Sequence, residues 1–161
     1  MKKSLKLLSI IAIATLVSCG GSEKKKEEPS YGKKEPVKTE TKTPASQRVE
    51  LTNKGVGPIK SLTLPAEIDQ DMVAHGLDVY NKMCTACHKA DKKFIGPAPT
   101  GILERRSPEW VMNMILNPEE MVKEDPLAKD LLMEFNGAPM ANQGLSEEDA
   151  RAVLEYFRTL K

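Results

Sequence analysis

Two cysteines and a histidine lie within five consecutive residues, Cys84-Thr85-Ala86-Cys87-His88. The C-x-x-C-H spacing is the attachment signature of a c-type haem. Two thiols three positions apart on a helical turn can each add to one vinyl group of the porphyrin, and the adjacent histidine is then held under the iron as an axial ligand. The segment therefore predicts one covalent haem c, bonded to Cys84 and Cys87, with His88 as a ligand of the metal.

Two other kinds of site use paired cysteines. A thioredoxin-like redox pair needs a βαβ setting, and a zinc site needs further ligands, whereas His75 is the only histidine besides His88. No alternating strand pattern surrounds the motif, and the third cysteine, Cys19, lies far away near the N-terminus. The haem interpretation is favoured.

Cys19 ends a different pattern. A positively charged start is followed by an apolar run, Leu7 to Val17, which is too short for a bilayer that takes about 20 residues to cross. Leu16-Val17-Ser18-Cys19 resembles the bacterial lipobox, in which the cysteine is lipidated and becomes the new N-terminus. We expect residues 1–18 to be a lipoprotein signal peptide and Cys19 to anchor the chain on the periplasmic side of a bacterial membrane. The alternative is an ordinary signal peptide or a short uncleaved anchor.

The stretch after the anchor is rich in Lys, Glu, Thr, Ser and Pro, with almost no large apolar residue. Such a composition cannot bury enough surface to fold, so residues 19–48 are predicted to be a disordered tether and residues 49–161 a single domain. That domain holds thirteen Lys and Arg against eighteen Asp and Glu. A scattered, net acidic charge offers no general field for a phosphate backbone, so nucleic-acid binding is excluded.

Apolar residues that recur at threes and fours predict an all-α domain. The predicted helices begin at acidic residues or at Ser or Pro, and an Asn-Pro pair marks a helix end. Gly76 lies inside the first of them, where a glycine costs about 1 kcal/mol, so another helix is expected to approach closely there, with Tyr156 or Phe157 over it. The four predicted helices run from Asp69 to the haem motif, from Ser107 to Asn117, from Pro126 through Phe135, and from Ser146 to the chain end.

From about Asn53 to Lys161 the chain resembles a class I monohaem cytochrome c, and the first residues suggest the lipoprotein-anchored bacterial form. The resemblance implies a fold of about four helices packed round one covalent haem. It also implies that the carbonyl of Pro97 accepts a hydrogen bond from the proximal imidazole and so orients His88. Val56 to Ile59 and Leu62 to Ile68 have no equivalent in the smallest family members, which leaves open whether these segments pack on the domain. The matching residues are Gly76, Tyr80, the haem motif, Gly96-Pro97, Pro139-Met140 and Tyr156-Phe157.

The second axial ligand of the haem iron is predicted to be Met140. It follows Asn136-Gly137-Ala138-Pro139, an irregular stretch able to wrap the distal face, and it matches the axial methionine of the family in position and local sequence. Met121 is the runner-up because its segment also reads as non-helical, and His75 is a weaker alternative. Met112, Met114 and Met133 lie in helical apolar patterns and are interpreted as core or as walls of the haem pocket.

Other polar residues could serve the haem or its partners. Arg105, Arg106 and Trp110 could hold the haem propionates through charge-assisted hydrogen bonds and the indole N–H, although both arginines could equally be solvated. A lysine cluster surrounds the attachment site and could steer an acidic partner surface, or could be plainly solvated. The cluster comprises Lys82, Lys89, Lys92 and Lys93.

A His/Met pair leaves the iron six-coordinate and closed, which suits a carrier and not an enzyme. The leading hypothesis is a membrane-tethered periplasmic one-electron carrier that takes electrons from a quinol-oxidising complex and donates them to a terminal respiratory reductase or oxidase. A haem-based gas or redox sensor would require an open iron or a readily displaced Met140. A fixed haem subunit of a larger oxidoreductase is the third possibility.

Overall fold

The computed structural model describes residues 43–161; the predicted signal peptide, Cys19 and most of the predicted tether lie outside that range. Within it the only strand-like pairing is a single parallel bridge between Glu50 and Arg106. The prediction of an all-α fold is confirmed, with five helices instead of about four. The helices are α1 (Gln70–Met83), α2 (Pro108–Leu116), α3 (Pro118–Glu124), α4 (Pro126–Glu134) and α5 (Glu147–Phe157), with short 3-10 turns at Ala45–Gln47 and Ile102–Glu104.

Side-chain caps fix where four of the helices begin. Asp69 accepts from the backbone N–H groups of two residues in the first turn of α1. Ser107, Asp125 and Ser146 each accept one such bond at the starts of α2, α4 and α5. An oxygen at this position pairs an N–H that has no partner inside the helix, which contributes about 1 kcal/mol. The predicted starts are therefore confirmed, whereas α5 ends at Phe157 and not at the chain end.

Helices α1 and α5 cross at Gly76. A Cβ on that glycine would lie 1.9 Å from the carbonyl oxygen of Ala152 and 2.9 Å from the backbone nitrogen of Val153. The close approach of a second helix is confirmed, but the expected partners were wrong. The backbone of α5 covers Gly76, and Tyr156 and Phe157 pack instead against Tyr80, one turn further along α1, with ring centroids 5.4 and 5.8 Å away.

Helix α3 was not expected. Its seven residues begin at Pro118, directly after the Asn117 that ends α2, and they place Met121 fully buried in the core. A helix of two turns gives too short a periodic pattern to recognise, and the Asn-Pro break suggested a loop. The interpretation of Met121 as part of a non-helical segment is therefore wrong.

Residues 43–68, here called the N-terminal arm, pack on α2 and α3. Asn113 of α2 accepts a hydrogen bond from the N–H of Ile59 (2.9 Å) and donates to the carbonyls of Lys54 and Ile59 (both 2.9 Å). Ala45 belongs to the core and is 4% exposed. The question left open for residues 56–68 is thus answered, and the domain begins before the predicted boundary at residue 49.

The core lies between α2, α4 and α5 and is closed by the arm. It is built around Trp110, Leu127, Val153 and Leu154, all at most 4% exposed. Within residues 43–161 no helix combines the length and apolar character needed to cross a membrane.

Candidate haem site

A cavity of about 610 Å³ opens beside the C-x-x-C-H motif. Its volume falls within the roughly 300–1,000 Å³ typical of ligand sites, and apolar side chains dominate its wall. The wall brings together all the site residues predicted in this domain, from separate parts of the chain. These are Cys84, Cys87, His88, Pro97, Arg105, Arg106, Trp110 and Met140.

The motif forms a tight turn at the end of α1. The N–H groups of Cys87 (3.1 Å) and His88 (2.9 Å) both donate to the carbonyl of Cys84. Cys84 is partly buried, and its burial, followed by the neighbouring Cys87, raises the pKa of its thiol to about 11. The turn therefore presents both thiols and the imidazole at one end of the cavity, as a doubly attached haem requires.

The imidazole of His88 is oriented by Pro97. Its Nδ1 lies 2.8 Å from the Pro97 carbonyl oxygen, which can only accept a hydrogen bond. Nδ1 must therefore carry the proton, and Nε2 keeps the lone pair that a metal needs. The geometry is the one that the resemblance implied for Pro97, and it fixes the tautomer as well as the direction of the ring.

Gly96 allows that imidazole to lie where it does. A Cβ on this residue would come within 2.5 Å of His88 Cε1, 2.9 Å of Nδ1 and 3.0 Å of Nε2. The N–H of Gly96 also donates to the carbonyl of Cys87 (2.9 Å), which closes the loop between them. Sequence reasoning recorded Gly96 as a match to the family but missed this steric role; the signal available was a glycine directly before the orienting proline.

Met140 also lines the cavity and lies on the loop between α4 and α5, with part of its side chain packed on the core. Residues 139–145 form no backbone–backbone hydrogen bond within the described chain. Their link to the rest of the domain is one bond from Asn142 Nδ2 to the carbonyl of Leu116, at 3.4 Å. That distance is long for a hydrogen bond. The other bonds of the loop, from the Gly144 N–H to Asn142 Oδ1 (2.8 Å) and from Gln143 Nε2 to the carbonyl of Ala141 (3.1 Å), are internal, so hydrogen bonds attach the loop only weakly to the rest of the domain.

The other methionines are distributed differently. The sulfur of Met121 accepts a hydrogen bond from the N–H of Val56 (3.0 Å) and is buried under the arm, so it is core and not an alternative ligand. Met112 is also core, and Met114 lines the cavity, as interpreted. Met133 is 74% exposed, so its interpretation as core or pocket wall is wrong. The imidazole of His75 pairs with Asp149 at 2.9 Å on the surface.

The residues predicted to contact the propionates separate into two groups. The single indole N–H of Trp110 donates to the buried carboxylate of Asp125 (3.2 Å), so the prediction for Trp110 is wrong. Arg105 and Arg106 also donate to backbone carbonyls, but the Nε of each is buried without a partner in the described part of the chain. Burial, followed by the charge of Arg105, lowers the pKa of Arg106. Unpartnered donors on cationic groups at the cavity wall fit the carboxylates of a haem.

Tyr80 completes the proximal wall. Its side chain is 3% exposed, and its hydroxyl has no partner among residues 43–161. Burial, followed by the charges of Tyr156 and Cys84, raises the pKa of Tyr80 to about 12. The ring stays neutral and serves as an apolar surface that joins α1, α5 and the cavity.

Three of the four lysines around the motif contact other side chains. Lys82 pairs with Asp78 (2.5 Å), Lys89 lies over the ring of Phe94 (5.0 Å), and Lys93 lies over the ring of Phe135 (4.5 Å). Lys92 is exposed. Next to the cluster the side chain of Phe94 is 49% exposed, whereas Met83 and Ile95 line the haem cavity.

The attachment turn, the oriented imidazole, and the apolar cavity that Met140 also lines define a c-type haem domain. The chain belongs to the cytochrome c family, whose sequence model matches residues 73–161. The protein is therefore a haem-based electron carrier with one covalently bound haem c, to which Cys84 and Cys87 contribute the thiols of the motif.

Solved structures agree with this assignment. A cytochrome c from Rhodothermus marinus is 43% identical, with a TM-score of 0.63, and the match covers 65% of this chain and 89% of that chain. An engineered cytochrome c from the same organism, bound to a carbene intermediate, is 42% identical with a TM-score of 0.60 and covers 65% and 89%. No curated protein sequence matches the chain.

Proposed function

We propose that this protein is a membrane-tethered, periplasmic one-electron carrier with His88 and Met140 as axial ligands of the iron. The observation that carries the proposal is the placement of these two side chains on the wall of one cavity, from segments about fifty residues apart in sequence. When bound, a His/Met-ligated haem supplies one-electron chemistry at a closed iron.

The residues of the chain act by holding and shielding that site. Pro97 and Gly96 keep the imidazole of His88 in one orientation and one tautomer. Met140 supplies a soft, neutral sulfur, which favours the ferrous state relative to a second imidazole. The buried donors of Arg105 and Arg106 would hold the propionates. None of these roles requires a proton or a bond to move, which suits electron transfer.

An exposed surface beside the motif supports docking of a redox partner. Phe94 is an exposed apolar side chain with Lys89 over its ring, and Lys92 and Lys93 directly precede it in the chain, although the domain is acidic overall. An exposed aromatic side chain can serve as an apolar contact for a partner, and lysines around it attract an acidic rim. A partner with an apolar contact area inside acidic residues fits this surface. A quinol-oxidising complex would be the donor, and a terminal reductase or oxidase the acceptor.

The position of the carrier follows from the N-terminal sequence. The lipobox-like Leu16 to Cys19 segment supports lipidation, and stable anchoring needs more than one acyl chain, as bacterial lipoproteins carry. The residues between the anchor and the folded domain would span roughly 30 Å as a flexible coil. We expect Cys19→Ser to convert a membrane-bound protein into a soluble or unprocessed one. Unchanged membrane fractionation and unchanged acylation would contradict the anchor.

The ligand assignment is tested on the holoprotein with Met140→Ala. We expect the sulfur-to-iron charge-transfer band of the ferric protein to disappear, the reduction potential to fall, and carbon monoxide to bind the ferrous form. Met133→Ala is the matched control, because that methionine lies close by in sequence but is 74% exposed. A charge-transfer band that survives in Met140→Ala would show that another residue ligates the iron.

Electron exchange is measured with membranes of the same cell. The native protein should be reduced by the quinol-oxidising complex and reoxidised by the terminal enzyme, at rates that fall as salt rises. Lys92→Gln should slow these rates more than Lys123→Gln, which alters the pair with Glu120 on α3. Tight gas binding by the native protein without electron exchange would favour a sensor, and copurification in a fixed complex would favour an oxidoreductase subunit.

A further inference from the structure

The first turn of the N-terminal arm is bonded to the last turn of α4. The backbone N–H of Ser46 donates to Glu134 Oε2 (2.8 Å), and the Ser46 hydroxyl donates to Glu134 Oε1 (2.5 Å). This pair, here called the clasp, joins residues 88 positions apart, and both members line the haem cavity. A second contact, from Arg48 to Asp130 (2.5 Å), ties the arm to α4 one turn earlier and is more exposed.

The position of the Glu134 carboxylate is unfavourable within α4 itself. It is the last residue of the helix, where the free carbonyl ends carry partial negative charge and a carboxylate is disfavoured. The last turn of α4 contains no basic residue that would offset this. The two donors of Ser46 do offset it, so the clasp is a tertiary contact whose effect must be sought in what α4 positions.

The arm side of the clasp is rigid. Arg106 is 1% exposed and donates to the carbonyl of Ala45 (2.5 Å) and to that of Arg48, on either side of Ser46. Its guanidinium also lies over the ring of Trp110, 5.3 Å from the centroid. Ser46 is therefore presented to α4 from a fixed support in the core.

The α4 side of the clasp leads directly to Met140. After Glu134 the chain turns through Asn136 and Gly137, with φ of 59° and 73°. This turn is fastened back to α4 by Gly137 N–H to the carbonyl of Leu132 (2.8 Å) and by Ala138 N–H to the carbonyl of Phe135 (3.2 Å). Beyond Ala138 the loop has one hydrogen bond to the rest of the described domain, the long Asn142 bond, and its other hydrogen bonds are internal. The last turn of α4 is therefore the nearest hydrogen-bonded support on the N-terminal side of Met140.

We propose that Ser46 and Glu134 are positioning residues for Met140: the clasp holds the last turn of α4 and thereby keeps the methionine sulfur at the haem iron. The proposal rests on the proposed role of Met140 as axial ligand. Loosening the clasp lets the loop move away from the haem and opens the distal side to small ligands. The arm, which leads towards the predicted anchor, thus contributes to the ligation of the iron.

The test uses the holoprotein, with carbon monoxide binding to the ferrous form and the sulfur-to-iron charge-transfer band of the ferric form as readouts. Ser46→Ala should raise the carbon monoxide association rate and the fraction of ferric protein without the band by roughly 5- to 10-fold, the factor that corresponds to one hydrogen bond. Glu134→Ala removes both bonds of the clasp and should raise the two readouts further. Ser46→Ala keeps the backbone N–H bond to Glu134, so it remains informative even if Glu134→Ala folds poorly.

Two controls distinguish the effect of the Ser46–Glu134 hydrogen bonds from the effect of the Glu134 charge and from that of other contacts between the arm and α4. Glu134→Gln removes the charge, but its amide oxygen can accept from the Ser46 N–H and its NH₂ can donate to the hydroxyl, so both readouts should stay within about 2-fold of wild type. Asp130→Asn weakens the neighbouring arm contact without touching Glu134 and should leave both readouts unchanged. An effect of Asp130→Asn as large as that of Ser46→Ala would overturn the proposal.

A Met140→Ala background shows through which residue the clasp acts. Adding Glu134→Ala to Met140→Ala should not raise the carbon monoxide rate further, and a further rise would overturn the proposal. If Met140→Ala itself leaves the band intact, the ligand assignment of the proposed function fails. If Met140→Ala removes the band while the clasp variants lower folding stability only, the clasp has a merely structural role and this inference alone is wrong.

Discussion

The two sides of the haem cavity are built in different ways. On the proximal side, the contacts that orient His88 come from residues 84–97: the turn at Cys84, the carbonyl of Pro97 and the close backbone of Gly96. On the distal side, Met140 lies on a loop whose residues 139–145 have a single 3.4 Å hydrogen bond to the rest of the described domain. The residue that we propose as proximal ligand is therefore held by its own sequence neighbourhood, whereas we propose that the distal one is held by helices and an arm that are remote in sequence.

This difference suggests where each half is vulnerable. The proximal half should tolerate little change in volume, because its atoms are already in contact and a close-packed interior has no spare room. The distal half should tolerate volume changes in the loop but should respond to contacts made far from Met140, such as the Ser46–Glu134 clasp.

Gly76→Ala should have the largest effect on stability, because the added methyl group would push apart α1 and α5, which support the proximal half. The added methyl would lie 1.9 Å from the Ala152 carbonyl oxygen, so backbone must move against backbone. We expect the free energy of unfolding, measured by denaturant titration of the holoprotein, to fall by about 3 kcal/mol or more. Ala74→Gly, at an exposed position of the same helix, should cost only about 1 kcal/mol. Equal losses in the two variants would contradict the close crossing.

Gly96→Ala should have the next largest effect and should act on the haem spectrum. Its Cβ would lie 2.5 Å from the His88 ring, so the imidazole must move from its hydrogen bond with Pro97, at a cost of about 1–3 kcal/mol. We expect less haem incorporation and a raised reduction potential, because an imidazole without the Pro97 hydrogen bond is a weaker donor to a metal. Gly144→Ala in the distal loop is the comparison: with φ of 65° and no atom within 4 Å of its Cβ, it should cost about 1 kcal/mol of backbone strain. The contrast fails if Gly144→Ala alters the spectrum more than Gly96→Ala.

Glu155→Gln should have a smaller, pH-dependent effect on the α1–α5 support. Burial raises the pKa of Glu155, but bonds from Arg151 and the Asp69 N–H and the charges of Arg151 and Arg158 outweigh it and hold the pKa below its usual 4.5. The stabilisation is therefore present above pH 4.5 and is lost as pH falls through the lower folded-state pKa. The variant should lose about 1–3 kcal/mol at pH 7 and show a flatter acid profile. Glu148→Gln, at an exposed position of α5, should leave the stability at pH 7 and the acid profile unchanged. Parallel acid profiles for wild type and Glu155→Gln would show that Glu155 does not contribute the expected pH dependence.

Much of the fold could be predicted from short-range patterns. The caps at Asp69, Ser107 and Ser146 are confirmed as helix starts. Gly76 correctly indicated a close helix crossing, although its partners proved to be the backbone at Ala152 and Val153. Helix α3 was missed because seven residues after an Asn-Pro break carry too little periodicity.

The haem chemistry was determined by the sequence itself. The spacing of Cys84, Cys87 and His88 is a local property, because residues three or four apart on a helical turn lie on one face whatever surrounds them. The Gly96-Pro97 pair belongs to the same short segment, so the proximal geometry could be expected from residues 84–97 alone.

Only the tertiary structure decided which distant groups meet. The Trp110 N–H is taken by Asp125, Met121 is buried beneath the arm, and Ser46 reaches Glu134 across 88 positions. Each side chain had several chemically suitable partners in the sequence, and the choice among them depends on how all the helices pack round the core. The local backbone conformation could therefore specify the proximal site, whereas the position of Met140 depends on the packing of the whole domain.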